Sequence, residues 1–209
     1  MDNFRIVSWN VQGLGGAQAQ KFKARLRQNL HKSFMRFVDM VFLQEHHLSP
    51  SRVDSYGSLF SGSWTHFWSP AIGESYNKAG VCIALAQKWS SHVIDYRILV
   101  EGRVQVIIVE IQNLQLGFIN VYAHNASSDR RRLWSYLCDT LPHVDHWCMV
   151  GDFNMIEDKL DRSGGSQAVL YGSELSFWER LCFKYGFQDT WYSSSFSKYV
   201  GILAILYIK

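Results

Sequence analysis

Ile6-Val-Ser-Trp-Asn10 is a short apolar run that ends in an amide. Three later stretches repeat the design: Val41-Phe-Leu-Gln-Glu45, Ile119-Asn-Val-Tyr-Ala-His-Asn125 and Met149-Val-Gly-Asp-Phe-Asn154. Each reads as a strand whose carboxyl end carries carboxylate, amide or hydroxyl groups. In α/β sheets the ligand crevice lies at the carboxyl ends of strands, so side chains leaving different strands converge there. The four stretches therefore predict an α/β protein with one polar site built from strand ends.

Working outward, strand-like runs are expected at Phe4–Val11, Met40–Gln44, Trp64–Trp68, Gly80–Ala86, Val93–Val100, Val104–Gln112, Leu116–Tyr122 and Trp147–Val150. Several alternate and lie close enough in sequence to be antiparallel neighbours, as in a meander. Phe22, Leu26, Leu30, Phe34 and Phe37 fall near a period of 3.6 and predict an amphipathic helix with a basic outer face. Ser127 and Ser128 predict a helix start that runs to about Leu141, and Glu174 to Tyr185 is the last expected helix. The pattern mixes βαβ crossovers with antiparallel pairs.

The 209 residues are 47% hydrophobic and 19% charged, which describes a folded globular chain and excludes a disordered or fibrous one. Cys82, Cys138, Cys148 and Cys182 show no CxxC pair, so they read as buried thiols in a reducing compartment, not as a zinc module. No leader precedes Phe4–Val11, and the longest apolar run, Ile202 to Ile208, is far shorter than a membrane helix needs. An intracellular protein is expected, with the nucleus as one option. Lys and Arg exceed Asp and Glu by only 21 to 18, but the charge is polarised: residues 18–38 are basic and residues 139–162 acidic.

At the strand ends, oxygen donors such as Glu45 and Asn10 suit Mg²⁺, which keeps waters and takes one or two protein carboxylates beside substrate phosphate. Asp152 and Asn154 are two apart and project to one side of an extended backbone, leaving Phe153 to pack. Plainer roles stand beside these. Gly-Asp-x-Asn is good turn chemistry, and Tyr122 could pack on a half-buried face. His46, His47 and His124 read as rim residues, and Gly13, Gly15 and Gly16 as a turn. Trp9 could wall the site. Arg130, Arg131 and Arg132 open a helix as either phosphate contacts or a solvated face.

Ser8-Trp-Asn-Val-Gln-Gly-Leu14, Leu43-Gln-Glu45, Asn120-Val-Tyr-Ala-His-Asn125 and Gly151-Asp-Phe-Asn154 occur in an order that resembles the endonuclease/exonuclease/phosphatase superfamily, the DNase I-like proteins. Trp9-Asn-Val-Gln-Gly-Leu-Gly15, Arg130-Arg-Arg-Leu-Trp134, Gly151-Asp-Phe-Asn154 and Arg162-Ser-Gly-Gly165 are most similar to the endonuclease domain of plant LINE-type retrotransposons. The resemblance implies a four-layer α/β sandwich, with two mixed β-sheets flanked by helices. It also implies Mg²⁺-dependent hydrolysis of a phosphodiester, with Mn²⁺ as an alternative ion and DNA as the partner of a monomer. Glu45 would then be the metal ligand, with Asn10 close to metal and phosphate. Asp152 would orient or deprotonate water, Asn154 would hold a phosphate oxygen, and Tyr122 would sit against the phosphate or leaving group. Asn125, Arg130 and Arg131 would contact substrate.

Two departures accompany the resemblance. Gln12 stands where several relatives place an acid, which removes charge near the metal. After Trp191 the expected Asp strand and terminal Ser-Asp-His are absent, since no Asp or His follows Asp189. The expectation is therefore a family domain over residues 1–192, incomplete at its C-terminus, followed by a divergent tail at 193–209 and weak or absent activity. Ile202–Ile208 would either supply a substitute strand or be an aggregation hazard. Two other functions fit the same residues: a phosphatase or phosphodiesterase acting on a small phosphorylated substrate, and a catalytically dead fold that binds nucleic acid or a partner.

Overall fold

The computed structural model describes residues 4–14, 38–57, 63–73, 77–155 and 172–188, and the backbone of 202–206. The strands are β1 (Phe4–Asn10), β2 (Met40–Gln44), β3 (Trp64–Ser69), β4 (Val81–Ala86), β5 (Val93–Val100), β6 (Val104–Ile111), β7 (Leu114–Tyr122), β8 (His146–Asp152) and β9 (Ile202–Leu206). The helices are α1 (Pro50–Gly57), α2 (Ser127–Thr140) and α3 (Gly172–Tyr185), with a short 3₁₀ turn at Gln87–His92. The expected basic helix of residues 22–37, Gly15, Gly16 and the Arg162–Gly165 motif lie outside the described residues.

Two mixed sheets form, ordered β3-β4-β2-β1-β9 and β5-β6-β7-β8. In the first, β1 runs parallel to β2 and to β9, while β4 is antiparallel to both β2 and β3. In the second, β5, β6 and β7 make the expected antiparallel meander, and β8 returns parallel to β7 through the α2 crossover. Strands β2 and β4 are buried on both faces, which is why they read as unbroken apolar runs instead of alternating ones.

Side-chain alternation sorts the core into three sets. Phe4, Ile6, Met40, Phe42, Ile83 and Leu85 of the first sheet face Ile107, Val109, Phe118 and Val150 of the second. The rings of Phe4 and Phe118 stack across this layer at 5.3 Å. Burying each of these large side chains contributes about 1.5–3 kcal/mol. On the far side of the first sheet, Val41, Leu43, Cys82 and Ala84 pack under Val53 and Tyr56 of α1. On the far side of the second, Val106, Ile119 and Val121 pack under Leu133, Trp134 and Leu137 of α2 and Leu181 of α3. The result is the expected sandwich of two mixed sheets between helices.

The β9 backbone pairs with β1 from Phe4↔Ile202 to Ser8↔Leu206, so this stretch forms a strand beside β1. Such pairing covers a sheet edge that would otherwise expose unpaired N–H and C=O groups. Cys82 and Cys138 are buried as expected, whereas Cys148 and Cys182 are only half-buried. Among the described residues no helix is long and apolar enough to cross a membrane.

Candidate active site

The layer between the sheets changes character along its length. Phe4 and Ile6 of β1, Met40 and Phe42 of β2, Phe118 of β7 and Val150 of β8 are apolar and buried. One step further along the same inward-facing rows stand Ser8, Gln44 and Asn120, also buried. Gln44 Nε2 donates to Asn120 Oδ1 (2.7 Å) and to Ser8 Oγ (3.1 Å). Asn120 Nδ2 donates to the Leu43 and Cys82 carbonyls at 3.1 and 3.0 Å, so both of its amide hydrogens are used. This satisfied network forms a floor. The next inward positions are Asn10, Tyr122 and Asp152, half-buried at the mouth of the layer, and Glu45 directly follows β2.

At the mouth the groups meet. Asn10 Nδ2 donates to Glu45 Oε1 and to Asp152 Oδ2, both at 2.7 Å. Its Oδ1 accepts the Gln12 N–H at 3.1 Å. Asn10 therefore presents hydrogens, not oxygen, to the two carboxylates and bridges them as a donor. The opposite amide orientation would aim oxygen at two acceptors. The Glu45 carboxyl is held down at about pKa 2, by the His47 imidazole first and then by Asn10 and the Tyr122 hydroxyl, against the opposing effect of burial. His47 Nε2 lies 3.6 Å from Glu45 Oε2. Tyr122 is pushed up to about 12 by burial and by its hydrogen bond to Glu45. At neutral pH its phenol is a donor, not a base.

Asn154 keeps both roles open to it. Its N–H bonds Asp152 Oδ1 at 3.0 Å, closing the Asx turn that the sequence suggests, and its Nδ2 donates to the Ala123 carbonyl at 2.8 Å. One amide hydrogen remains for a ligand. The turn depends on Gly151, at φ +142°, because a Cβ there would stand 1.9 Å from the Val121 carbonyl oxygen. Gln12, Glu45, His47 and Asn154 all have positive φ, between 49° and 57°. Such backbone is uncommon outside glycine and collects at functional sites.

Asn125 is exposed, just beyond Tyr122 on the loop into α2. Arg130 is a correction: neither a phosphate contact nor a solvated residue, it is only 2% exposed and is paired with Glu174. Arg131 is exposed and donates to Ser173 Oγ at 3.1 Å, which ties α2 to α3. His46 is also corrected. It is buried, its Nδ1 accepts the Leu48 N–H at 3.0 Å, and its Nε2 lies 3.1 Å from the Ser69 carbonyl. A donor must face that carbonyl, so the ring is neutral, and burial lowers its pKa to about 4. His47 is half-buried and faces Glu45, while His124 is half-buried beside Tyr122 and Asn125. Trp9 points to the other side of its sheet and packs with Val41 and Leu43 instead of walling the site.

Arg103, between β5 and β6, had no motif to mark it. Its guanidinium lies over the Tyr122 ring, 5.1 Å from the centroid. Among the described residues no group of three or more His, Cys, Asp or Glu side chains could hold a metal. The donor set at the mouth, two carboxylates with amide groups, is of a chemistry that suits a hard ion.

The fold and site together define an α/β sandwich with a carboxylate and amide site at the carboxyl ends of its strands. The chain belongs to the Endonuclease/Exonuclease/phosphatase family, whose model matches residues 7–200. Solved structures share the fold. The AP endonuclease LMAP of Leishmania major superposes with a TM-score of 0.63 at 16% identity, over 86% of this chain and 66% of that one. The APE2 catalytic domain of Xenopus laevis gives 0.60 at 17% identity, over 84% and 66%. A humanized D. rerio TDP2 gives 0.55 at 22% identity, over 73% and 66%. The chain thus spans just under two thirds of these structures. No curated protein sequence matches it.

Proposed function

We propose that this chain is a Mg²⁺-dependent phosphodiester hydrolase that nicks DNA, of the kind found in LINE-type retrotransposons. The observation that carries the reading is Asn10 bridging Glu45 and Asp152, which brings two carboxylates from opposite sheets to one point. The low pKa of Glu45 keeps it anionic across the working range, which suits Mg²⁺ or Mn²⁺. When bound, such an ion neutralises charge growing on the phosphoryl oxygens.

The chain's own groups divide the remaining work. Asp152, turned by Asn10 and by the Asn154 N–H, is placed to accept a proton from water. The free amide hydrogen of Asn154 and the Tyr122 hydroxyl are donors for phosphate oxygens. DNA as substrate is supported by the sequence motifs and by likeness to structures described as AP endonucleases.

Supercoiled plasmid with Mg²⁺, run beside inositol phosphates, tests this reading. Nicking that disappears in Glu45→Gln supports it. Phosphate release from the small substrates with intact plasmid would favour the phosphatase reading. Salt-dependent DNA binding without cleavage, unchanged in Glu45→Gln, would favour a binding fold.

A further inference from the structure

The loop that joins β7 to α2 carries Tyr122 at one end and Asn125 near the other, and it belongs to no helix and to no ladder past Tyr122. Its carbonyls therefore need donors from elsewhere or from water. Two arginines supply them. Arg103 Nη1 donates to the Tyr122 and Ala123 carbonyls at 3.3 and 3.5 Å. Arg130 Nη1 donates to the His124 and Asn125 carbonyls at 3.1 and 2.5 Å. Four consecutive carbonyls are thus met by two guanidinium groups, with Asn154 Nδ2 also donating to that of Ala123 at 2.8 Å.

The two arginines are not equivalent. Arg130 is neutralised: its Nε meets Glu174 Oε1 at 2.6 Å and its Nη2 meets Oε2 at 3.2 Å, while Ser127 Oγ bonds the same carboxylate. Glu174 lies in the first turn of α3, so the loop is anchored through Arg130 to a second helix. Arg103 makes no ion pair among the described residues, and its Nε is buried without a partner. Instead it lies over the Tyr122 ring, and its own carbonyl accepts the Tyr122 N–H at 2.8 Å. A planar guanidinium can stack on a ring and still donate along its edge, which an ammonium cannot do. A cation left incompletely satisfied beside acidic groups serves stability poorly, and such local violations gather where function requires them.

We propose that Arg103 and Arg130 are positioning residues of the candidate site, which clamp the Tyr122–Asn125 carbonyls so that the Tyr122 phenol and the Asn125 amide are presented by a fixed loop. The clamp's contribution to hydrolysis rests on the phosphodiester reading; the clamp itself does not. Neither arginine touches substrate in this account. Arg103 orients Tyr122 directly, and Arg130 holds His124 and Asn125 while Glu174 anchors it to α3.

The test is nuclear magnetic resonance of protein labelled at the tyrosine rings, in Arg103→Lys and Arg130→Lys. The chain has ten tyrosines, and the resonance missing from Tyr122→Phe identifies the one that matters. Lysine keeps the charge at each site but cannot hold two carbonyls with a planar fork. Arg103→Lys is expected to move or broaden the Tyr122 resonance and leave the other tyrosines in place. Arg130→Lys is expected to speed amide exchange at residues 123–126 about tenfold while the strand amides stay protected. An unmoved Tyr122 signal in folded Arg103→Lys, or unchanged exchange in folded Arg130→Lys, would overturn the proposal. If Arg130→Lys does not fold, Glu174→Gln, which leaves the guanidinium in place, is read by the same exchange measurement. Where plasmid is nicked, Arg103→Lys should lower kcat about tenfold with KM unchanged, as expected of lost orientation. A shifted Tyr122 resonance in a protein that never cleaves DNA would leave the clamp standing and sink the nuclease reading alone.

Discussion

Asn10 Nδ2 stands 2.7 Å from Glu45 Oε1 and 2.7 Å from Asp152 Oδ2, a single amide group joining carboxylates that are 107 residues apart in sequence and belong to different sheets. Both hydrogens of the amide are used, so one neutral group holds the two anions close. Asn10→Asp exchanges this donor for a third carboxylate. The variant should lose about 1–3 kcal/mol of stability at neutral pH through repulsion and lost hydrogen bonds. Added Mg²⁺ should raise its melting temperature more than that of the parent, because the third carboxylate adds repulsion for the ion to relieve. Thermal melts with and without Mg²⁺ check this; equal Mg²⁺ shifts in the two proteins would contradict it.

The Arg130–Glu174 pair is buried on both sides, each side chain 3% exposed. Glu174→Gln leaves the guanidinium charged and uncompensated, and it should cost about 3–5 kcal/mol in denaturant unfolding. Arg131→Ala, one residue along on the exposed face, should change stability by no more than about 0.5 kcal/mol. Similar losses in the two variants would refute the assignment of Arg130 to the interior.

Burial, which penalises the imidazolium, pushes the His46 pKa down from its ordinary 6.5 to about 4. A depressed pKa means that stability is complete above 6.5 and lost as pH falls from there toward 4. The loss amounts to roughly 3 kcal/mol at most. Glu45 adds a loss of the same sign at lower pH, from 4.5 down toward 2. Urea unfolding between pH 7 and 4 should therefore show stability falling with acid, with a shallower slope in His46→Gln. A slope unchanged by that substitution would show that another group is responsible.

Gly151 has no room for a methyl group. A Cβ there would sit 1.9 Å from the Val121 carbonyl oxygen and 2.8 Å from its carbon, both backbone atoms of the neighbouring strand. Gly151→Ala must separate β8 from β7 just below Asp152 and is expected to cost more than about 3 kcal/mol, with loss of folded protein in expression. A stable Gly151→Ala variant would mean that the β7–β8 register differs from Tyr122↔Asp152.

The fold was legible where a period or a repeated design carried it. Met40–Gln44 and Val93–Val100 are strands with the bounds that their apolar runs suggest, and the helix from Ser127 ends one residue before the expected Leu141. The convergence of Asn10, Glu45, Tyr122, Asp152 and Asn154 followed from four strands that end alike. The histidines were not legible, because the left-handed backbone at Glu45 and His47 turns one ring inward and its neighbour outward, and no alternation announces that. The burial of Arg130 is not legible in the sequence because its partner, Glu174, lies 44 residues away on another helix. Arg103 was overlooked because it sits beyond a turn, and only the fold brings it to Tyr122.

Titration of the protein with Mn²⁺ by calorimetry, in the parent, Glu45→Gln and Asp152→Asn, reads the central claim without needing turnover. The account predicts one site in the parent, lost in Glu45→Gln and weakened in Asp152→Asn, with all three proteins folded. Equal Mn²⁺ binding in the parent and Glu45→Gln would contradict it.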